Sequence, residues 1–275
     1  MIFLVLLSIF LHQASSSPVN QPLSFSFSSF SQLSCSSGSL ICTGAVTPYN
    51  GYLSLTSEPF QSNSSYYSAT LPLNEVGRVL YKQPVIAWPA MISTTFTIRI
   101  SRYPNTTDSA DGMTFVFAPD SNPSPPNSYG SSLGIFSRSQ GGNVSQLAVE
   151  LDTYKNGFDM DGNHIGIDTT SVLSSFAASL NSTGIDLKSG RPIKVQIDYD
   201  GWTKMLYVSV AYHGYPLQRF IEKPIIMSET VPSSVYVGFT AATGAISESH
   251  HLLDWTFTTF PLPSYSLKKQ NLVKH

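Results

Sequence analysis

The sequence predicts an all-β protein of antiparallel sheets, arranged as a sandwich or a barrel. Apolar and polar residues alternate through a series of short segments, the pattern of strands buried on one face. Clusters of Gly, Pro, Asn and Ser separate these segments. No long stretch has a helical period, and no strand–helix alternation occurs, which argues against an α/β fold.

The chain opens with IFLVLLSIFL, an apolar run too short to span a bilayer, followed by HQASSS. This reads as a signal peptide over residues 1–16, cleaved near Ser16 or Ser17, although no positively charged side chain precedes the apolar run. Strands are expected at 95–100, 113–117, 147–151 and 193–199. A turn at Asp200-Gly201 leads into 206–211, and 235–239 and 255–257 complete the series. PDSNPSPPNSY, residues 119–129, reads as a rigid polar loop before a strand at Leu133. One domain is expected over 17–262, with a loose tail at 263–275.

A formal net charge of −2 offers no basic footprint for nucleic acid or membrane surfaces, and no later apolar run is long enough for a membrane anchor. Charged residues are only 12% of the chain, against about a quarter in typical proteins. Solubility then rests on Ser, Thr, Asn and attached sugar, for which acceptor sequons stand at Asn63, Asn105, Asn143 and Asn181. In a secretory compartment Cys35 and Cys42, flanking a short Gly-containing loop, are expected to form a disulfide.

The most informative passage is LAVELDTYKNGFDMDGNHIGID, residues 147–168. Glu150 and Asp152 project from one face of a strand, because side-chain direction repeats every second residue. The following turn brings Asn156, Asp159 and His164 back toward that face. Oxygen donors suit calcium and the imidazole suits a transition metal, so two adjacent sites sharing Asp152 and Asp159 are expected. A solvated acidic turn is the bland alternative.

Three catalytic or metal motifs fail on context. Gly130-Ser131-Ser132-Leu133-Gly134 fits G-x-S-x-G, but the strand-to-helix setting of a hydrolase elbow is missing. Residues 157–168 partly mimic an EF-hand loop, yet Gly157 fills the first ligand place and the flanks are strands. Glu150-x-Asp152 matches half of a laminarinase-like glycosidase motif, while Tyr154 and Lys155 occupy the places of the second carboxyl. His250 and His251 are expected to hydrogen-bond a strand edge.

The mature chain resembles the legume-type (L-type) lectins, from FSFSSF to LLDWTF. It is closest to soluble secreted plant lectin-like proteins and to the ectodomains of lectin receptor kinases. The resemblance implies a jelly-roll β-sandwich of the concanavalin-like class and no enzymatic activity. It implies Mn2+ or another transition metal on Glu150, Asp152, Asp159 and His164. Ca2+ would sit on Asp152, Asp159, Asn156 and the Tyr154 carbonyl. The motif Ala110-Asp111-Gly112 implies a cis peptide before Asp111, held by calcium through an ordered water.

The resemblance makes Asp111 the acceptor for sugar hydroxyls, with the Asn156 amide donating and Tyr154 packing on the ring. Backbone N–H groups of Ser131, Ala245 and Ile246 would complete the pocket. Ser131 stands where many relatives have Gly, and Ile246 is an unusual apolar occupant. The short TGAISESH loop leans toward mannose or glucose. Expected partners are glycans or glycoproteins in the apoplast or cell wall, in a defence setting, with homodimerisation possible. A lectin-fold interaction module with weak or lost sugar binding, recognising proteins or apolar ligands, is the alternative, and a glycoside hydrolase ranks below both.

Overall fold

Alternation along single strands sets the architecture. In Ile193–Asp200 every second residue is buried, so one face meets the core and the other meets solvent. A computed structural model of the chain describes residues 21–58, 71–104, 106–137 and 145–263. The predicted leader lies outside the described residues, as do Asn63, Asn105, Asn143 and nearly all of the tail.

Two antiparallel sheets of eight strands form a jelly-roll sandwich. The first runs Gln218–Pro224, Met205–Tyr212, Ile193–Asp200, Ala90–Arg102, Glu248–Pro261, Leu53–Ser54 and Thr47–Pro48, with Leu23–Phe27 also paired to Glu248–Pro261. The second runs Phe176–Ser179, His164–Asp168, Leu147–Asp152, Gly112–Ala118, Ser234–Ala242, Val76–Tyr81 and Leu40–Gly44. Val85–Ile86 adds to Ser234–Ala242. Each predicted strand from 95–100 to 255–257 falls within one of these elements.

Aromatic residues paired within each sheet meet between the sheets. Phe96 is opposite Trp255 in the first sheet, and Phe115 is opposite Phe239 in the second. Across the gap Phe96 contacts Phe239 edge-on at 4.8 Å, and Phe239 contacts Trp255 at 5.0 Å. Such pairs add about 0.5–1.5 kcal/mol each beyond the area they bury.

The second sheet is covered on its other face as well, which explains why Gly112–Ala118 is buried at every position. Leu133, Ile135 and Phe136 pack onto Leu80, Val116, Ala118 and Ala148 there. No strand begins at Leu133. Gly130–Ser132 forms a single 3-10 turn, and Gly130 (φ 63°) and Leu133 (φ 47°) are left-handed, a backbone incompatible with an extended strand. His250 and His251 also depart from expectation. They lie inside Glu248–Pro261, with Ala90–Arg102 paired along one side and Leu53–Ser54 paired with His251 and Leu252 on the other, not at a sheet edge. Cys35 and Cys42 are disulfide-bonded.

Candidate functional site

Strand register assembles the site. Asp152, the last residue of Leu147–Asp152, lies opposite Gly112 on one neighbour and His164 on the other. One row across three strands therefore carries the Asp111 corner, the Asp152 carboxylate and the His164 imidazole. Glu150 lies opposite Gly166, where a Cβ would come within 2.1 Å of Glu150 Oε1. Glycine in HIGID thus leaves the space that the Glu150 carboxylate occupies.

Donor atoms of Asp152, Asp159 and His164 all lie within 4.8 Å of one another. Glu150 Oε1 is 3.4 Å from His164 Nε2. The His164 Nδ1–H donates to the Asp161 carbonyl at 2.8 Å, which fixes the ring and leaves Nε2 facing the carboxylates. Within the turn, the Tyr154 amide donates to Asp152 Oδ1 and the Asn156 amide to Asp159 Oδ2, each at 2.7 Å.

Crowding of these carboxyls is written in their proton affinities. Burial first, and then the Glu150 charge, push Asp152 up to about 9. Asp159 is raised, again chiefly by burial. Burial pulls His164 down, but its hydrogen bond to Glu150 and the Asp152 charge outweigh this and hold it up at about 9. Fully buried Asp168 is raised well above the carboxylate range by burial and by Glu150. A divalent cation among these donors would relieve that repulsion, so the residues fit a metal centre.

Residues not singled out as part of this centre complete the turn. Ser174 donates to Glu150 Oε1. Lys188 Nζ donates to the carbonyls of Thr153 (2.5 Å) and Gly162 (2.7 Å), clamping both ends of the turn. Neither has a local sequence signal, because each reaches its partner from a separate connecting segment, Ser174 24 residues from Glu150 and Lys188 35 from Thr153.

The Ala110–Asp111 peptide is cis. Asp111 is 6% exposed, and three loops close around it. Its amide donates to the Ala242 carbonyl, and the Gly130 amide donates to the Thr243 carbonyl. Gly244 approaches so closely that a Cβ there would lie 2.8 Å from Asp111 Oδ2 and 3.2 Å from Gly130 Cα. Ser131 is half-buried beside Gly130, Ala245 is exposed and Ile246 is half-buried.

Glu248 reaches this corner from the opposite sheet. Fully buried, it accepts hydrogen bonds from the Ser109 and Thr153 hydroxyls and pairs with His250 Nε2 at 3.0 Å. His250 Nδ1 meets the Thr56 hydroxyl at 3.0 Å. Asn156 and Tyr154 are half-buried on the turn. Tyr154 lines a cavity of about 610 Å3 with Lys155, Asn163, Asn181 and Lys188, of which Asp111, Ser131 and Ile246 are not part. The sequon residue Asn181 is exposed there, its amide donating to Asp161 Oδ2 at 3.0 Å.

The legume lectin domain profile matches residues 22–274. The chain belongs to the legume lectin family. The family's function is carbohydrate binding, and the lectins among the relatives of this chain are not enzymes. A lectin of Glycine max is 30% identical over 211 residues, covering 74% of this chain and 71% of its own. A probable L-type lectin-domain containing receptor kinase S.5 of Arabidopsis thaliana is 35% identical over 193 residues, covering 67% of this chain. That match spans only 29% of the kinase. The solved seed lectin of Lotus tetragonolobus superposes with a TM-score of 0.74 at 28% identity, over 88% of this chain and 100% of its own. Among the described residues of this legume lectin, no helix is long and apolar enough to cross a membrane.

Proposed function

We propose that the protein is a secreted lectin that binds glycan reversibly at Asp111 and performs no chemistry. The observation that carries this reading is the direct backbone bond between the Thr153 amide and the Asp111 carbonyl, at 3.1 Å. It joins the sugar-facing loop to the turn that holds the metal donors. Glu150, Asp152, Asp159 and His164 would hold a transition metal, with Mn2+ the family's usual ion. Asp152, Asp159, Asn156 and the Tyr154 carbonyl would hold Ca2+. The ions supply fixed positive charge that orders the turn, and the chain's own groups meet the sugar.

Asp111 accepts from two hexose hydroxyls, Asn156 donates, and the amides of Ser131, Ala245 and Ile246 close the rim. Charge-assisted bonds in a shallow wet pocket give weak single-site binding, strengthened where glycans cluster. The short loop after Gly244 favours mannose or glucose. The proposed setting is the apoplast or cell wall, with glycoproteins as partners. A glycan array with and without chelator tests the reading. Binding to mannose- or glucose-type glycans that chelation abolishes is expected, and chelator-insensitive binding, or none on any glycan, would overturn it.

A second reading has its own observation. Ser131 follows Gly130, which borders the Asp111 corner, and Ile246 is a half-buried apolar residue two positions after Gly244. A module that has lost useful sugar affinity and recognises a protein or apolar ligand would retain the metal centre while remaining silent on the array.

A further inference from the structure

Outside the Asp111 corner, the buried cation of Arg78 makes no ion pair among the described residues. In Val76–Tyr81 alternate side chains face opposite ways, with Val79 in the intersheet core and Leu80 beneath the 119–137 loop. Arg78 shares the side of Leu80. It is 5% exposed, and its Nε has no hydrogen-bond partner. Above it, the buried hydroxyls of Ser124 and Ser128 are equally without partners. All three residues line one cavity of about 240 Å3, together with Thr43, Asn74 and Asn127. Asp120 is the carboxylate whose charge bears on Arg78, but it is exposed and accepts the Asn122 amide.

A guanidinium is always charged and presents its donors in a plane that matches two oxygens of one acid group. A guanidinium N–H buried without an acceptor is unfavourable, and two orphaned hydroxyls lining the same cavity add to the penalty. One small oxyanion would satisfy all three, its oxygens accepting from Arg78, Ser124 and Ser128 together. We propose that Arg78, Ser124 and Ser128 form a binding site for a small oxyanion of the carboxylate or sulfate class beneath the 119–129 loop. None of Asp111, Ser131, Tyr154, Asn156, Ala245 and Ile246 lines this cavity, so the site is separate from the glycan pocket.

The test titrates the full metal-loaded protein with sodium acetate and, separately, sodium sulfate. Ionic strength is held constant with chloride, and calorimetry and Tm are read. A saturable heat and a saturable rise in Tm are expected with at least one of the two anions, and the response identifies the preferred class. The double variant Ser124→Ala/Ser128→Ala keeps the cation and should bind about tenfold more weakly, the loss expected when hydrogen bonds to a charged ligand are removed. Arg78→Met should abolish the response, and if that variant does not fold, the double variant decides. A Tm rise that never saturates and is the same in the double variant would be a solvent effect on a water-filled cavity, and would overturn the proposal. The readout is anion binding alone, so it stands or falls independently of any glycan result.

Discussion

Ser109 and Thr153 both donate their hydroxyls to Glu248, a residue of the opposite sheet. Ser109 precedes the cis Ala110–Asp111 peptide and Thr153 follows Asp152. One buried side chain therefore fastens the Asp111 loop and the turn after Asp152 to the same strand. His250, fully buried, accompanies it.

Glu248→Ala is predicted to destabilise the fold by about 3–5 kcal/mol, the penalty for breaking a buried pair and stranding its partners. Glu248→Gln keeps the shape and should cost less. Urea unfolding of the metal-loaded protein measures both. A loss under about 1 kcal/mol for the alanine variant would show that the strut contributes little beyond an ordinary surface pair.

Asp111→Asn should leave the melting temperature of the metal-loaded protein nearly unchanged while weakening glycan binding by about 1.5–3 kcal/mol, as an ionised acceptor becomes a neutral amide. Calorimetry with the best ligand from the array reads the affinity, and circular dichroism reads the fold. Unaltered affinity would remove Asp111 from the pocket.

Proton affinities around Asp152 and His164 give a pH dependence with a definite sign. Asp152 moves from 3.8 to about 9 on folding, so its contribution to stability is full below 3.8 and is lost as pH rises through 9. His164, raised from 6.5 to about 9, contributes in the same direction, fully below 6.5. Metal-stripped protein should melt at progressively lower temperature between pH 5 and pH 9. Cations require the deprotonated carboxylates and neutral imidazole, so the increase in Tm on adding Ca2+ and Mn2+ should grow across that range. Thermal scans at several pH values with and without chelator decide it, and a pH-independent increment would contradict the proposed ligand set.

The clustering of Asp152, Asp159 and His164 is legible in the sequence because its logic is local. Period-two alternation alone places Glu150 and Asp152 on one face, and the turn needs only the next twelve residues to return His164. What joins that turn to the rest was not legible. Glu248 lies 139 residues from Ser109 and 95 from Thr153, and Lys188 lies 35 from the Thr153 carbonyl it clamps. Such contacts follow from sheet order, which alternation does not encode. Val76–Tyr81 and Leu40–Gly44 escaped the strand reading for a related reason. Their burial follows the covering loop and the intersheet core together, which blurs alternation in VGRVLY. Leu133 misled because an apolar residue after a polar loop looks like a strand start, whereas its left-handed backbone serves the turn holding Gly130 against Thr243.

Gly244 provides the sharpest test of the pocket's geometry. It lies beside both Asp111 and Gly130, and its own amide donates to the Ile246 carbonyl at 3.1 Å. A methyl group there would meet the Asp111 carboxylate oxygen at 2.8 Å and the Gly130 backbone at 3.2 Å. The carboxylate can swing aside more easily than the backbone can move. Gly244→Ala should therefore cost only about 1–3 kcal/mol of stability, typical of mild overpacking, while displacing the sugar acceptor. Glycan binding should fall at least as far as in Asp111→Asn, with calcium uptake measured by calorimetry retained. Ser131→Gly removes the side chain next to Gly130 and should raise hexose affinity if the second reading, an obstructed pocket, holds. If Gly244→Ala binds glycan as tightly as the parent protein, saccharide does not depend on the carboxylate that this loop confines.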